Sequence, residues 1–269
     1  MQGASSDSLH ALTEALGRAV EGGADASRIG DDLFAVADVL RREPGLRRVA
    51  TDLSVTPEAK SGLLRGIFGE QLDPAATDLV ATAAERRWAA TRDLPDALEH
   101  VGVVAVVRGA EQKGKADELE NELFAFERLV SGSPELRDAL SDPARDVADK
   151  RRLLRDVLDG KATSATVRLA EQAVVSTHRT VAVALETYQK IAAEHRRRLV
   201  ATVRVARGLD GQEQTRLQEA LAAQYSRPVH LNVVVDPDVI GGVRVSIGDE
   251  VIDGSVATRL DEARRQLAG

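Results

Sequence analysis

The side chains with which this chain would do chemistry are few, and their spacing argues against most reactions. Five histidines stand at positions 10, 100, 178, 195 and 230, and no two are four residues apart, the spacing that sets two imidazoles on one helix face around a zinc ion. They read as surface or capping histidines. Gly160-Lys161-Ala162-Thr163 has the ending of a phosphate-binding loop, but Arg155 stands where such a loop needs its first glycine, and no strand precedes it. It reads as a helix stop and restart. Ser255 follows Gly254 without the second glycine of a nucleophile elbow, so it reads as a helix cap. Asp249, Glu250 and Asp253 crowd one hairpin tip with no catalytic partner nearby, and read as solvated turn residues. Arg196-Arg197-Arg198 is the one basic run, and reads as a solvated helix end near a negative C-terminal dipole, with a subunit contact as the alternative. The sequence therefore offers no catalytic residue, no metal ligand and no cofactor-binding residue.

Composition points the same way. The net charge of −7 and the seven aromatic residues (four Phe, two Tyr, one Trp) argue against a nucleic-acid binder, which needs a basic surface and stacking platforms. There are no cysteines, so neither disulfides nor thiolate metal sites are available. The first seven residues, Met1 to Asp7, have neither the basic region nor the apolar core of a secretory signal. Apolar runs such as Val103 to Val107 fall far short of the about 20 residues of a membrane-spanning helix, so membrane association is expected only through partners.

What remains is a chain rich in alanine and leucine, long enough for two or three small domains. Leu9, Leu12, Leu16 and Val20 recur at helical spacing before Gly22-Gly23. Ile29, Leu33, Val36 and Leu40 mark a second helix, and Pro44 breaks the chain before a short segment holding Leu46 and Val49. Pro57 opens a helix through Leu63, Leu64, Ile67 and Phe68. Asp73-Pro74 opens another, with Leu79, Ala83 and Arg86-Arg87-Trp88 on successive turns, and Leu94, Leu98, Val101 and Ala105 carry one more.

The chain then repeats itself. At a constant offset of 90, His10, Arg18 and Glu21 match His100, Arg108 and Glu111, and Leu33-Phe34-Ala35 matches Leu123-Phe124-Ala125. Pro44, Leu46, Arg47, Asp52, Lys60, Leu63, Leu64 and Arg65 also recur, and with Ala15 and Ala26 the total is 16 identities over positions 9 to 68. A duplicated helical module follows. Beyond it a three-residue gap sets in, aligning Arg92 and Leu98 with Arg179 and Leu185. The helix from about Asp93 to Glu111 both closes copy one and opens copy two, so the expected bundles, residues 1–110 and 94–198, share it.

Residues 199–269 change period. Leu199, Ala201, Val203 and Val205 alternate as a strand does, and Asp210 with Glu213 forms a capping box for a helix holding Leu217 and Leu221. Val229 to Val235 is a second strand. Gly241-Gly242 precedes Val243, Val245 and Ile247, Gly248-Asp249 makes a two-residue turn, Val251-Ile252 returns, and Asp253 and Ser255 cap a last helix holding Val256, Leu260, Ala263 and Leu267. The fold class is mainly α, with a small α/β C-terminal domain of strand, helix, strand, hairpin and helix.

Gly241, Gly242, Gly248, Asp253, Ser255, Arg259 and Leu260 together resemble the C-terminal signature of the δ subunit (OSCP) family of F-type ATP synthases. The family has one N-terminal six-helix bundle and a small α/β domain, so residues 134–269 are similar to most of one member. The front half is an extra bundle, as in the longer actinobacterial forms. The resemblance implies a non-catalytic stator component of the peripheral stalk without cofactor, on the cytoplasmic face of the cell membrane. Its helical part would bind N-terminal helices of the α subunits, with the β subunit as a further contact. Its tail would join the membrane-anchored b subunits, so that the link resists rotary torque. In the family the first and fifth helices form the groove for the α-subunit helix. Carried over, these are Leu12, Leu16, Leu79 and Ala83 in copy one and Val103, Val107, Leu169 and Ala173 in copy two, residues that would otherwise serve their own cores. A helical adaptor outside ATP synthase and a small-molecule-binding protein using the Gly241 to Ser255 loop are the alternatives.

Overall fold

The computed structural model describes residues 3–142, 144–197, 199–225, 229–236, 239, 242–247 and 250–253. The chain divides into two compact units, Met1–Ala193 and Glu194–Gly269.

The first unit is helical. Its elements are α1 (Ala4–Glu21), α2 (Ala26–Arg42), α3 (Pro44–Thr51), α4 (Pro57–Phe68), α5 (Pro74–Glu85), α6 (Asp93–Gln112), α7 (Ala116–Gly132), α8 (Pro134–Ser141), α9 (Val147–Leu158) and α10 (Ser164–Val175), and it takes in most of α11 (Val181–Arg197). Helices α2 to α5 recur as α7 to α10 with both ends of every helix displaced by 90 residues. Local chemistry explains why the ends repeat so closely. Proline opens α3, α4, α5 and α8, where its missing amide proton costs nothing. Side chains of Asp25, Thr56, Asp73, Ser133, Asp146 and Thr163 accept hydrogen bonds from the free amides of the helices they precede. Gly160, with φ of 64°, stops α9 before Thr163 restarts the chain as α10, as read from the sequence.

One device is built twice across the repeat. Asp32 of α2 accepts a hydrogen bond at 2.7 Å from the backbone amide of Asp73, the residue capping α5. Ninety residues on, Glu122 of α7 accepts from the backbone amide and hydroxyl of Thr163, the cap of α10, both at 2.8 Å. Each carboxylate ties the second helix of its repeat to the start of the fifth.

A single apolar core runs through both repeats, from Leu12 and Leu16 to Leu185 and Ala192. Fully buried leucines such as Leu33, Leu64, Leu98, Leu123 and Leu154 each contribute about 2 kcal/mol. Helix α6 packs against α1, α2 and α5 on one side and α7 and α10 on the other. Fourteen of its 20 residues are buried, and none from Asp93 to Ala110 is exposed. In one respect the expected helices need correction. Helix α5 ends at Glu85, so Arg86-Arg87-Trp88 lie in the following loop, where the buried Trp88 donates its indole N–H to the carbonyl of Ala83 at 2.8 Å. That bond gives the Ala83 carbonyl a second donor beside the backbone amide of Arg86 at 3.3 Å and folds the ring back onto the core.

In the second unit β1 (Leu199–Val205), α12 (Gly211–Tyr225), β2 (Val229–Val235), β3 (Val243–Ile247) and β4 (Glu250–Asp253) form one sheet in the order β2-β1-β3-β4. β1 pairs parallel with β2, and the pairs β1/β3 and β3/β4 are antiparallel. Ala201, Val203, Val205, Val245 and Ile247 turn to one face and pack with Leu221 of α12. The capping box closes both ways, since Glu213 N donates to Asp210 Oδ1 at 2.8 Å and Asp210 N donates to Glu213 Oε2 at 3.0 Å. The last helix read from the sequence, and the side chains of Arg196-Arg197-Arg198, lie outside the described residues.

Candidate partner-binding surfaces

The two repeats are joined around one carboxylate. Glu99, in the middle of α6, is only 4% exposed. A guanidinium nitrogen of Arg41, at the end of α2, lies 2.6 Å from Glu99 Oε2, and another donates to Asp96 Oδ1 at 2.9 Å. From the second repeat, Tyr188 Oη of α11 donates to Glu99 Oε1 at 2.6 Å, and Gln172 Nε2 of α10 donates to Oε2 at 3.3 Å. Thr177 Oγ1 reaches Asp96 at 3.5 Å, and the His178 ring stands edge-on to Tyr188 with centroids 6.2 Å apart. A cleft of about 300 Å3 opens beside them, lined also by His100 and Ile191.

The electrostatics make this a fixed joint. Burial works against the charge on Arg41, but Glu99 and Asp96 together hold its affinity for the proton above the usual arginine value. Burial, with the Glu99 carboxylate facing it, pushes the Tyr188 phenol far above the ordinary tyrosine range, so it remains a neutral donor. Each acceptor on Glu99 is used by a donor from a different helix. Nothing in this set is poised to attack a substrate. Among the described residues, no three potential metal ligands cluster.

Close helix packing supports the joint from one side. A methyl group on Gly102 of α6 would lie 2.5 Å from the Phe34 ring, one on Gly109 2.6 Å from Ser27 Oγ, and one on Gly30 of α2 2.9 Å from Val106 Cγ2. Only glycine allows α2 and α6 this approach. Beside them Arg168 of α10 forms an ion pair with Asp31 of α2, and burial nonetheless holds the Asp31 carboxyl above its usual range.

All eight groove candidates read from the sequence are buried. Leu12, Leu16, Leu79 and Ala83 in the first repeat, and Val103, Val107, Leu169 and Ala173 in the second, are at most 3% exposed and belong to the shared core. Among the described residues of the helical unit the exposed large apolar side chains lie elsewhere: Val39, Val49, Leu53, Leu63 and Ile67 in the first repeat, and Phe124, Leu129 and Val183 in the second. Val39 and Leu129 occupy the same repeat position.

In the second unit, Gly242 enters β3 with φ of 79°, a backbone region glycine adopts without steric cost, and Asp253 ends β4. Gly241, Gly248, Ser255, Arg259 and Leu260 lie outside the described residues. Opposite α12, the sheet turns out Arg204 and Arg244, paired across β1 and β3, with Val234 beside them on β2. Arg204 lies 3.8 Å from Asp236.

The Glu99 cluster went unread in the sequence, although a carboxylate between Leu98 and the run Val101 to Val107 is a signal of its own. In the first repeat the same position is Leu9, so the exchange of an apolar for an ionised residue at a core position pointed to a partner brought by the duplication.

Known proteins give these features a context. The family model described as ATP synthase delta (OSCP) subunit matches residues 103–267, from within α6 to near the end of the chain. The "ATP synthase subunit delta" of a Nocardioides species is 49% identical over 273 residues, covering 100% of this chain and 98% of that protein. The protein of the same description from Streptomyces coelicolor is 43% identical over 270 residues, again covering 100% of this chain and 98% of that one. A chain in the cryo-EM structure of the Toxoplasma gondii mitochondrial ATP synthase hexamer is 21% identical, with a TM-score of 0.28, over 62% of this chain and 95% of that chain. With a family match over most of its length and relatives aligned along all of it, the chain belongs to the ATP synthase delta (OSCP) subunit family.

Proposed function

We propose that this chain is the bracket of the peripheral stalk in an F-type ATP synthase, non-catalytic in itself. Its helical unit holds N-terminal helices of the α subunits at the catalytic head, with the β subunit as a further contact, and its α/β unit joins the membrane-anchored b subunits. Rotation of the central shaft drives ATP synthesis only if the head is kept from turning with it, so the link must carry torque without yielding. The observation that carries this reading is the helix α6, buried along its length and shared by two repeats, because it removes the linker at which a two-bundle protein would bend. The bundles span residues 1–110 and 94–198, and the tail 199–269. No helix among the described residues is long and apolar enough to cross a membrane, so membrane attachment comes through partners at its cytoplasmic face.

Affinity purification of the tagged chain from membranes tests this reading: α, β and b subunits are expected to co-purify. A chain truncated after Arg198 should stay helical and keep the α subunit while losing b. Retention of b by the truncated chain, or proton-driven ATP synthesis at the normal rate after deletion of the whole subunit, overturns it.

A further inference from the structure

The two repeats keep the inner side of their fourth helix and differ on its outer side. Lys60, Leu63, Leu64 and Arg65 of α4 recur as Lys150, Leu153, Leu154 and Arg155 of α9. The outer side of α9 carries Asp149, Arg152 and Asp156, all exposed, with Asp149 and Arg152 paired at 3.3 Å, while Leu153 and Val157 lean on the core. On α4 the same three positions are Ala59, Gly62 and Gly66, exposed beside Leu63 and Ile67, which are 38% and 40% open to solvent. Spacings of three and four residues set these five on one side of the helix.

The two glycines have no use inside the chain. Neither has a positive φ, and a methyl group added to either would meet nothing within 4 Å. Glycine is, after proline, the worst helix former, so α4 gives up stability at two positions to keep a bare trough beside Leu63 and Ile67. Bare backbone is what lets a second helix approach closely.

Charge indicates what kind of helix fits. Lys60 stands one turn before Leu63 and two before Ile67, is 3% exposed, and forms no hydrogen bond or ion pair through its ammonium group among the described residues. Burial works against its charge. The Asp52 carboxylate, which favours that charge, is engaged by the amide and hydroxyl of Ser54, and the guanidinium of Arg87, on the loop after α5, opposes it. A buried cation without a bonded acceptor, at the edge of an open apolar face, is matched by an acidic neighbour.

We propose that this face of α4 docks a partner helix, apolar along the side laid over Gly62 and Gly66 and carrying a carboxylate opposite Lys60. Helix α4 lies outside residues 103–267, the part matched by the family model, whereas α9 lies inside it, so the contact belongs to the extra bundle. The inference rests on the stator reading for the assembly in which that helix is found.

The chain has no cysteine, so Glu58→Cys, on the exposed rim of the face, can carry a single benzophenone maleimide. Illumination of the assembled enzyme, purified from membranes, should give an adduct with a helix-forming segment of another subunit in which Asp and Glu outnumber Lys and Arg, located by mass spectrometry. Adding Gly66→Gln, which fills the trough, or Lys60→Met, which keeps the buried stem and removes the charge, should each cut the yield about tenfold. Gly66→Gln should also raise the melting temperature of the isolated chain, which separates lost docking from lost folding. Ala148→Cys, at the matched position of α9, should give about a tenth of the adduct or less. No adduct, an adduct with a second copy of this chain or with a segment richer in Lys and Arg, equal yields from the two labels, or a yield that Gly66→Gln and Lys60→Met leave unchanged overturns the docking proposal while leaving the stator reading intact. Absence of the chain from the purified enzyme overturns both.

Discussion

Phe34 and Phe124 occupy the same position in the two repeats, each between a leucine and an alanine, yet Phe34 is 7% exposed and Phe124 is 54% exposed. The difference lies in the helix opposite. Phe34 meets Gly102, where nothing stands in the way of its ring. The residue matching Gly102 beyond the three-residue gap is Gln189, whose amide donates to the carbonyl of Leu123 at 3.2 Å, and Phe124 is left outside with Arg128 5.9 Å over its ring. Identical local sequence thus yields a core residue in one copy and a surface residue in the other. Burial belongs to the pair of helices, not to either alone.

Alanine at these two positions gives the widest contrast. Phe34→Ala should destabilise the helical unit by about 3–5 kcal/mol, and Phe124→Ala by less than about 0.5 kcal/mol, measured as denaturant unfolding free energies. Equal losses would mean that the repeats bury this position alike. Next is the matched pair Glu99 and Leu9. Glu99→Ala leaves Arg41 with Asp96 alone and strands the donors of Tyr188 and Gln172, and should cost about 3 kcal/mol, whereas Leu9→Ala, at a half-buried site, should cost about 1 kcal/mol. A Glu99→Ala protein as stable as Leu9→Ala would show that the joint between repeats holds nothing together.

A modest effect at neutral pH is expected at Tyr188, which corresponds to the buried Val101 of the first repeat. Tyr188→Phe removes one hydrogen bond, at a cost of about 1 kcal/mol. The pH profile sharpens the comparison. The folded state holds the phenol protonated, and the unfolded chain releases that proton above the ordinary value of 10.0. Stability from this group is therefore complete below pH 10 and falls by about 1.4 kcal/mol for each pH unit above it. Tyr188→Phe should lack that component of the alkaline slope, and two parallel profiles would refute the assignment.

Most of the helical unit was legible in the sequence because duplication prints it twice: proline starts, capping side chains and 16 matched identities fix the helices almost independently of tertiary contacts. The capping box at Asp210 and the alternation from Leu199 to Val205 did the same for the second unit. What the periodicity did not give was the facing of the helices. Leu12 and Leu16, groove candidates by resemblance and core residues by the plainer reading, are buried in this chain, and an apolar stripe has the same spacing whether a partner covers it or its own bundle does. The Trp88 turn was misread for a similar reason. The run Glu85-Arg86-Arg87 carries no breaker, and the helix end is marked only by the Trp88 indole folding back five residues onto the Ala83 carbonyl, which residue spacing does not spell out.

Because α6 packs against α1, α2 and α5 before it and against α7 and α10 after it, a cut on either side of it strips packing from one of the pieces. Severed before Asp93, the front piece loses the helix its α1, α2 and α5 pack on; severed after Gln112, the rear piece loses the one that α7 and α10 pack on. Neither fragment can be made whole without copying those 20 residues into both. A protease, a recombination event or an engineer seeking a one-bundle version meets the same obstacle. Such a version can be reached by discarding everything before α6, but only by baring the flank of that helix which α1 and α2 now keep dry.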